Sequence, residues 1–485
     1  MTFLLISILC NLFACQGVVE ASTASLEYTS PQTEKIDSVQ FEITRSFDCD
    51  VLVVGGGPAG IASAVSAARH GASTILCERG GYLGGAATNA LVGPFMSSTS
   101  PDGEIMLIRG FFEELVDSLE ANGAAIHPLK AEIGAFSGYR EPGHHGVTTF
   151  DPEALKRTAE RFCIDAGVRL LYHCLFVKSS VSKDRIDAAY FATKDGIWRV
   201  RAKVYIDCTG DADVAYSSGV PCVWGDGNGE VQASSLIFIL SGVDWDKMDA
   251  HYRKTLLEND FEGRFYMREI RTAREAGEFP LWRAKIALYR RLDGTAIVNM
   301  GQTDDVDGCD PEQVTRAEIT GREQAQYIIR FLRKYVDGCK DSYLVSTAEN
   351  LGVRESRRIV GEYTVTTEDA INSVKYPDPV FCCSNSMDIH KRGYVEYVAR
   401  NTQEPYFVPY RALLPKGIDN LICAGRCISA ERPVLGAIRV VPPCFAMGQA
   451  AGTAAALCIE KHVGPKQLDA GLLIATLKND AVYLP

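Results

Sequence analysis

Gly55, Gly57 and Gly60 stand in the spacing G-x-G-x-x-G, and Glu78 follows about twenty residues on. Each position has a chemical use. The first glycine makes a tight turn, the second lets backbone approach a pyrophosphate, and the third lets a helix pack closely on a strand. Glu78 is placed to accept the two hydroxyls of a ribose. This is the chemistry of dinucleotide binding. Other residues of reactive type are spread along the chain. Thr209-Gly210-Asp211 and Asp213 form a polar turn, and Gly84-Gly85 is a glycine pair just beyond the ribose acid. Arg354, Arg357 and Arg358 are three arginines within five positions, either a salt-bridged face or a clamp for an anion or carbonyl. His390 stands alone in the later half, and Arg439 lies near the end. Gly143-His144-His145-Gly146 offers two adjacent histidines for acid–base or metal chemistry, although neighbouring side chains rarely aim at one point.

The elements that must hold these groups are legible around the glycines. Asp50–Val54 is a short apolar run of the kind buried in a parallel sheet. Ile61–His70 reads as a small-residue helix whose N-terminus faces the phosphates, and Ser73–Cys77 as the next strand, with Glu78 at its end. Asp151–Ala166 reads as a helix opened by Asp-Pro. Val168–Lys178 and Ala188–Thr193 are strand-like, and Trp198–Asp207 leads as a strand into Thr209-Gly210-Asp211, with Asp211 and Asp213 as candidate helix caps. Between 220 and 400 only the amphipathic helix Gln313–Tyr335 stands out; Gly225–Gly229 is read as a turn and not as a nucleotide loop. Asn420–Ala424 reads as a strand running into Gly425-Arg426, and Pro442–Ala456 as a helix with Gly448 and Gly452 four apart, which must pack closely on something.

The chain has 485 residues and a net charge of −11, with 46% hydrophobic and 23% charged residues. That is ordinary globular composition, and the lack of any basic block argues against nucleic acid or an anionic membrane as partner. Thr2–Val19 is mostly apolar, too short to span a bilayer and suited to an export leader, although it carries no Lys or Arg. Leu12-Phe13-Ala14-Cys15 has the form of a lipoprotein box that would place a lipid anchor on Cys15; Val19-Glu20-Ala21 is an alternative cleavage site. The expectation is therefore export, to the periplasm, the cell envelope or the medium, rather than the cytoplasm. Of 16 cysteines, none forms paired C-x-x-C motifs, so no zinc site is expected; Cys382-Cys383 is read as two strand residues facing opposite ways. The scattered pattern looks more reduced than oxidised, which sits awkwardly with export.

The stretches VLVVGGGPAGIASAVSAARHG, CERGGYLGGAAT, DCTGDADVA, LGVRESRRIVGEY, YRALLPKGIDNLICAGRCISAERPVLGAIRVVPP and AMGQAAGTAAA span the chain from Asp48 to about His462. In order and spacing the chain resembles the FAD-dependent oxidoreductase family with the glutathione-reductase-type fold, distantly related to fumarate reductase and thiazole-synthase flavoproteins. The resemblance implies an α/β protein: a Rossmann-like doubly wound FAD-binding domain with an inserted α+β substrate domain. Composition divides off 1–21 (leader) and 22–47 (polar tether), and the resemblance implies 48–220 (first FAD-binding part, with a helical insertion at about 100–150), 221–400 (substrate or cap domain) and 401–485 (second FAD-binding part). It also implies FAD held by Gly55, Gly57, Pro58, Ala59, Gly60, Glu78, Arg79, Gly84, Gly85, Thr209, Gly210, Asp211, Gly425, Arg426 and Gly448. One departure stands out: Glu431-Arg432-Pro433 follows Ser429-Ala430 where a Ser-His-Glu type run is expected, so no acid–base histidine is carried over there. The expected reaction is hydride exchange between a small organic substrate and flavin N5. His390 and Arg354 are the first candidates for proton handling and anion binding, with Arg357 and Arg439 behind them. No second glycine motif with strand context exists, so electrons are expected to pass through the substrate, a quinone, a redox protein or oxygen. A flavin-binding electron carrier, a non-redox flavoenzyme of group transfer or elimination, and an NAD-binding version of the fold are the alternatives.

Overall fold

Val51–Val54 are four consecutive buried residues, as in a strand covered on both faces, and they close β1 (Ile43–Val54). The computed structural model describes residues 41–96, 98–139 and 145–485, and Ile43–Pro485 make one unit. The expected leader 1–21 with Cys15, the tether up to residue 40, and His144 lie outside the described residues. The tether was expected to run to residue 47, but the chain is already strand from Ile43.

β2 (Thr74–Cys77) and β3 (Arg169–Leu171) lie parallel on one side of β1. On the other side the hairpin β4 (Leu175–Ser182) and β5 (Arg185–Thr193) leads antiparallel into β6 (Gly196–Asp207), which runs parallel to β1. Ile43–Phe47 pairs with Ile197–Val200 of β6, which is why these residues are strand. The expected single strand Val168–Lys178 is two, broken at His173, which takes φ +56°.

Residues 222–409 hold the smaller sheets, so the expected boundary at 400 falls before the last of their strands. β7 (Cys222–Trp224) is later paired by β12 (Arg357–Ile359). β8 (Phe238–Ser241), β9 (Leu288–Arg290), β10 (Ala296–Val298) and β11 (Tyr343–Thr347) form an antiparallel sheet in the order β11-β8-β10-β9. It shares a core with the amphipathic helix Pro311–Tyr335, in which Trp245, Phe279, Phe331 and Leu332 are buried. β13 (Pro379–Cys383) pairs with β16 (Tyr406–Pro409), and β14 (Met387–Lys391) with β15 (Tyr394–Val398). On β13, Cys382 and Cys383 enter different apolar clusters, as alternation along a strand requires. β17 (Leu421–Cys423) then returns to the large sheet, parallel to the end of β6.

The small-residue helix Val441–Lys461 packs along the first helix, Pro58–Arg69. A Cβ on Gly448 would lie 2.1 Å from the Ala59 carbonyl oxygen, and one on Gly452 2.1 Å from that of Ser63. The four-residue spacing thus lets two helix backbones touch, and Ser63 Oγ donates to the Gly448 carbonyl at 3.0 Å. Among the described residues no single helix is long and apolar enough to cross a membrane.

Candidate active site

The cradle begins where β1 stops. Gly55 turns with φ +98°, and a Cβ there would meet the Cys208 carbonyl oxygen at 2.5 Å. Gly60 sits so close beneath the turn that its Cβ would fall 1.8 Å from the Gly55 oxygen. Gly57 differs: a Cβ on it would meet only Gly85 Cα, at 3.9 Å, so its outer side is open to an approaching group. It is also the N-cap of the helix at Pro58, with no capping side chain and no acidic residue in the first turn. The free N–H groups and dipole of that end favour a phosphate. The second glycine pair closes on the first: Gly84 N–H donates to the Gly56 oxygen at 2.9 Å, and a Cβ on Gly85 would lie 2.7 Å from Gly57 Cα. Glu78 accepts from Gly56 N–H at 2.6 Å and Gly80 N–H at 2.7 Å, which fixes its carboxylate beside the turn. An open helix N-terminus between glycine backbones, with an oriented carboxylate nearby, fits the pyrophosphate and ribose of FAD.

The turn after β6 adds a second wall. Asp207, fully buried, accepts from Thr209 N–H, Thr209 Oγ1 and Ala215 N–H, and burial pushes its carboxyl up. Gly210 follows with φ +82°. Asp213 does not cap its helix as expected; Ala212 is the N-cap, and Asp213 N–H donates to Thr209 Oγ1 at 2.9 Å. Asp213 instead pairs with Arg357, whose guanidinium lies 4.5 Å from the Tyr216 ring centre. Burial, then the charges of Asp207 and Asp211, raise the Asp213 carboxyl to about 6; Arg357 and Arg79 oppose them. Asp211 accepts from Ser356 Oγ at 2.6 Å and from Arg426 at 2.7 Å. Arg426 also donates to the Val353 carbonyl at 2.7 Å, so it ties the arginine-rich segment to the end of the large sheet. Gly425, beside it, has φ +97° and would bring a Cβ 3.3 Å from Ala59 Cβ.

A separate polar cluster forms on the hairpin β14–β15. Alternation puts Asp388 and His390 on one face of β14. The helix Arg432–Ile438 lies directly on that strand, since a Cβ on Gly436 would sit 2.1 Å from the Asp388 carbonyl oxygen. His390 Nε2 is 2.9 Å from Asp388 Oδ2. An ionised carboxylate only accepts, so the neutral ring carries its proton on Nε2 and leaves a lone pair on Nδ1. Arg439, the residue after that helix, lies 4.0 Å from Asp388 and donates to Gln232 Oε1 at 3.4 Å. The same oxygen accepts from His390 N–H at 3.2 Å. Gln232 is itself held by Glu355, fully buried, through N–H and Nε2, each at 2.9 Å; Arg432 Nε reaches Glu355 at 2.8 Å.

Arg354 comes to this cluster with neutral hydrogen-bond partners, the Ala233 carbonyl and Ser235 Oγ. Burial and the charges of Arg439 and Arg283 push its guanidinium down to about 9. Burial and the Arg354 charge push His390 down to about 3. Asp388 is held at about 2: burial opposes ionisation, but the bond to His390 and the charge of Arg439 outweigh it. The arrangement is a neutral base on a carboxylate, flanked by two guanidiniums.

The structure therefore brings Arg354, His390 and Arg439 together and places Arg357 elsewhere, against Asp213. Gly55, Gly57, Pro58, Ala59, Gly60, Glu78, Gly84 and Gly85 gather at the first turn, and Thr209, Gly210, Asp211, Gly425 and Arg426 at the neighbouring turns. Arg79 is exposed next to Glu78. Gly448 is used in helix packing. Asp388, Gln232, Glu355 and Gly436 were missed. Only Asp388 carried a signal, its i, i+2 relation to His390 on a strand; the others are met through tertiary contact alone. His145 joins no metal-ligand group among the described residues.

The chain is similar, at low identity, to several solved structures. A geranylgeranyl bacteriochlorophyll reductase-like protein of Thermoplasma acidophilum is 15% identical, with 90% of this chain and 83% of that one covered and a TM-score of 0.46. A myxobacterial chondrochloren halogenase is 12% identical, covering 89% and 78%, at 0.44. A p-nitrophenol 4-monooxygenase of Pseudomonas putida is 11% identical, covering 90% and 81%, at 0.40. No curated protein sequence matches the chain. The family model described as FAD dependent oxidoreductase matches residues 50–480, which contain both the glycine cradle and the His390 cluster, and the chain belongs to that family of FAD enzymes.

Proposed function

We propose that the enzyme exchanges a hydride with a small anionic organic substrate, a carboxylate in the first instance, held by Arg354 and Arg439. One observation carries this reading. Arg354 is buried, its hydrogen-bond partners are neutral, and a second guanidinium lies nearby, with Asp388 the carboxylate they share. Buried cations without full compensation are unfavourable by several kcal/mol, and an anionic ligand removes that penalty.

FAD, when bound, supplies the two-electron acceptor or donor. The protein's own work is then divided. Arg354 and Arg439 fix the charged end of the substrate and so its orientation. Gln232, pinned by Glu355, holds the His390 backbone and the Arg439 head at one distance from each other. Asp388 keeps the His390 proton on Nε2 and leaves Nδ1 to take a proton from the substrate or, in the reverse direction, to return it. A bound anion offsets the guanidinium charges that now oppose protonation of His390, so substrate binding makes the imidazole a stronger base.

Anaerobic mixing of the flavin-loaded enzyme with hydroxy and amino carboxylates and their uncharged amides tests this. Carboxylates are expected to bleach the flavin and amides are not. Arg354→Met should weaken carboxylate binding by about 10- to 100-fold, as for a lost charge-assisted hydrogen bond. Equal bleaching by amides would overturn the reading.

A further inference from the structure

Glu355 is fully buried one residue after Arg354 and takes no direct part in the proposed reaction. Donors surround its oxygens. Gln232 N–H donates to Oε1 at 2.9 Å and Gln232 Nε2 to Oε2 at 2.9 Å, while Arg432 Nε lies 2.8 Å from Oε1 and Arg358 stands 3.8 Å from Oε2. A carboxylate so placed only accepts.

That property decides the orientation of Gln232. An amide side chain has an oxygen and an NH2 of nearly equal shape, and its partners alone determine which way it points. Here both ends agree. Nε2 faces the Glu355 carboxylate, which leaves Oε1 for two donors, His390 N–H at 3.2 Å and Arg439 at 3.4 Å. Turned over, the amide would set its oxygen against a buried carboxylate and its NH2 against an N–H and a guanidinium. Both ends would then be buried without partners, which is unfavourable.

The same strip of chain carries the other contacts of the cluster. Ala233 N–H donates to the His390 carbonyl at 3.0 Å, and the Ala233 carbonyl and Ser235 Oγ accept from Arg354. Residues 232–235 therefore touch Arg354, His390 and Arg439, and Glu355 grips the first of them. Arg439 also has Asp388 at 4.0 Å. Without the Gln232 oxygen, Arg439 would close on Asp388. That pairing neutralises the guanidinium and draws on the carboxylate that holds the His390 proton.

We propose that Glu355 is a positioning residue: its carboxylate fixes the polarity of the Gln232 amide, which keeps Arg439 off Asp388 and available to the substrate anion. The amide polarity stands on the hydrogen bonds alone; its effect on substrate rests on the reading of Arg354 and Arg439 as the anion clamp.

Two measurements keep these apart. The first needs no substrate. It is hydrogen exchange of the His390 amide, followed by NMR on the flavin-loaded full chain labelled with 15N-histidine. The chain has eight histidines, and His390→Gln identifies the signal. Glu355→Gln puts a group that can donate opposite Gln232, whose amide is then free to turn, and the His390 amide should exchange about tenfold faster. Gln232→Met, which removes the acceptor and leaves Glu355 in place, should do the same and serves if Glu355→Gln does not fold. The exchanged pair Glu355→Gln/Gln232→Glu again presents an acceptor to His390 and should return its exchange to within about threefold of the wild type.

The second measurement is the Kd of a carboxylate that cannot be oxidised, from the flavin difference spectrum. Glu355→Gln should weaken it about tenfold. The exchanged pair should stay equally weak, because the carboxylate it places at position 232 neutralises Arg439. A purely structural Glu355 would let the pair recover both properties or neither. The proposal is overturned if the His390 amide keeps its wild-type exchange in Glu355→Gln and Gln232→Met. It is overturned too if Arg354→Met weakens the carboxylate and Glu355→Gln does not. Altered exchange with carboxylate binding unchanged even in Arg354→Met upholds the amide polarity and overturns the clamp reading instead.

Discussion

Between Gly55 and Glu78 the nucleotide cradle is made mainly by backbone atoms of residues near one another in the chain, and its side-chain contribution is Glu78. The His390 cluster is the reverse: its working groups are side chains of Gln232, Arg354, Asp388 and Arg439, drawn from segments up to about 200 residues apart. A site made of backbone demands glycine at set positions, so it can be disabled by adding a single carbon. A site made of side chains is held by hydrogen bonds between elements, and substitutions there leave the fold standing while removing chemistry. The two regions should therefore fail in different ways.

The largest effect is expected at Gly60. Gly60→Ala places a Cβ 1.8 Å from the Gly55 oxygen, and neither partner can rotate away because both belong to the backbone. A loss of about 3 kcal/mol or more and of bound flavin is expected, read from urea unfolding and from flavin absorbance per mole of protein. Gly134→Ala, where nothing lies within 4 Å of the added atom, is the control and should change stability by less than about 0.5 kcal/mol. If Gly60→Ala keeps its flavin, the cradle is not as tight as the distances require.

His390→Gln should behave in the opposite manner: full flavin content, unfolding within about 1 kcal/mol of wild type, and flavin reduction by substrate slowed by about 10²- to 10⁴-fold. Stopped-flow absorbance gives the rate. An unaltered rate would remove His390 from proton handling.

A third test is the dependence of stability on pH. The folded-state value of His390, about 3, lies below the ordinary value of 6.5, so the unfolded chain binds more protons between these limits. The contribution of a neutral His390 is therefore fully present above pH 6.5 and is lost as pH falls toward 3. In that window stability should decline by up to about 1.4 kcal/mol per pH unit from this one group. The urea midpoint measured across that range should fall less steeply in His390→Gln. Between pH 3.8 and about 2, Asp388, held at about 2 against an ordinary 3.8, adds a second loss of the same sign.

The same contrast explains what the sequence could show. The glycine cradle was legible because its parts are adjacent and each glycine answers a backbone requirement, as at Gly55 and Gly60. The packing glycines Gly448 and Gly452 were visible as a spacing, but their partner, the first helix, was not; only the fold shows that Gly448 meets Ala59. In R-E-S-R-R, three arginines have three fates. Arg354 turns to the His390 cluster, Arg357 to Asp213, and Arg358 to the Gly225 carbonyl. Residue type could not separate these, because the choice is made by strands and loops that are distant in the chain. Gln232 gave no signal at all, since an amide becomes a positioning group only by what surrounds it.

The proposed reaction requires the Arg354–His390–Arg439 cluster to face the flavin bound in the glycine cradle. The direct measurement is a visible difference spectrum of the oxidised enzyme titrated with a carboxylate that cannot be oxidised, in the wild type and in Arg354→Met. The account predicts a saturable perturbation of the flavin bands in the wild type and its loss in the variant, with flavin content unchanged. A perturbation of equal size and affinity in Arg354→Met, or a purified protein that neither carries nor takes up FAD, would contradict it.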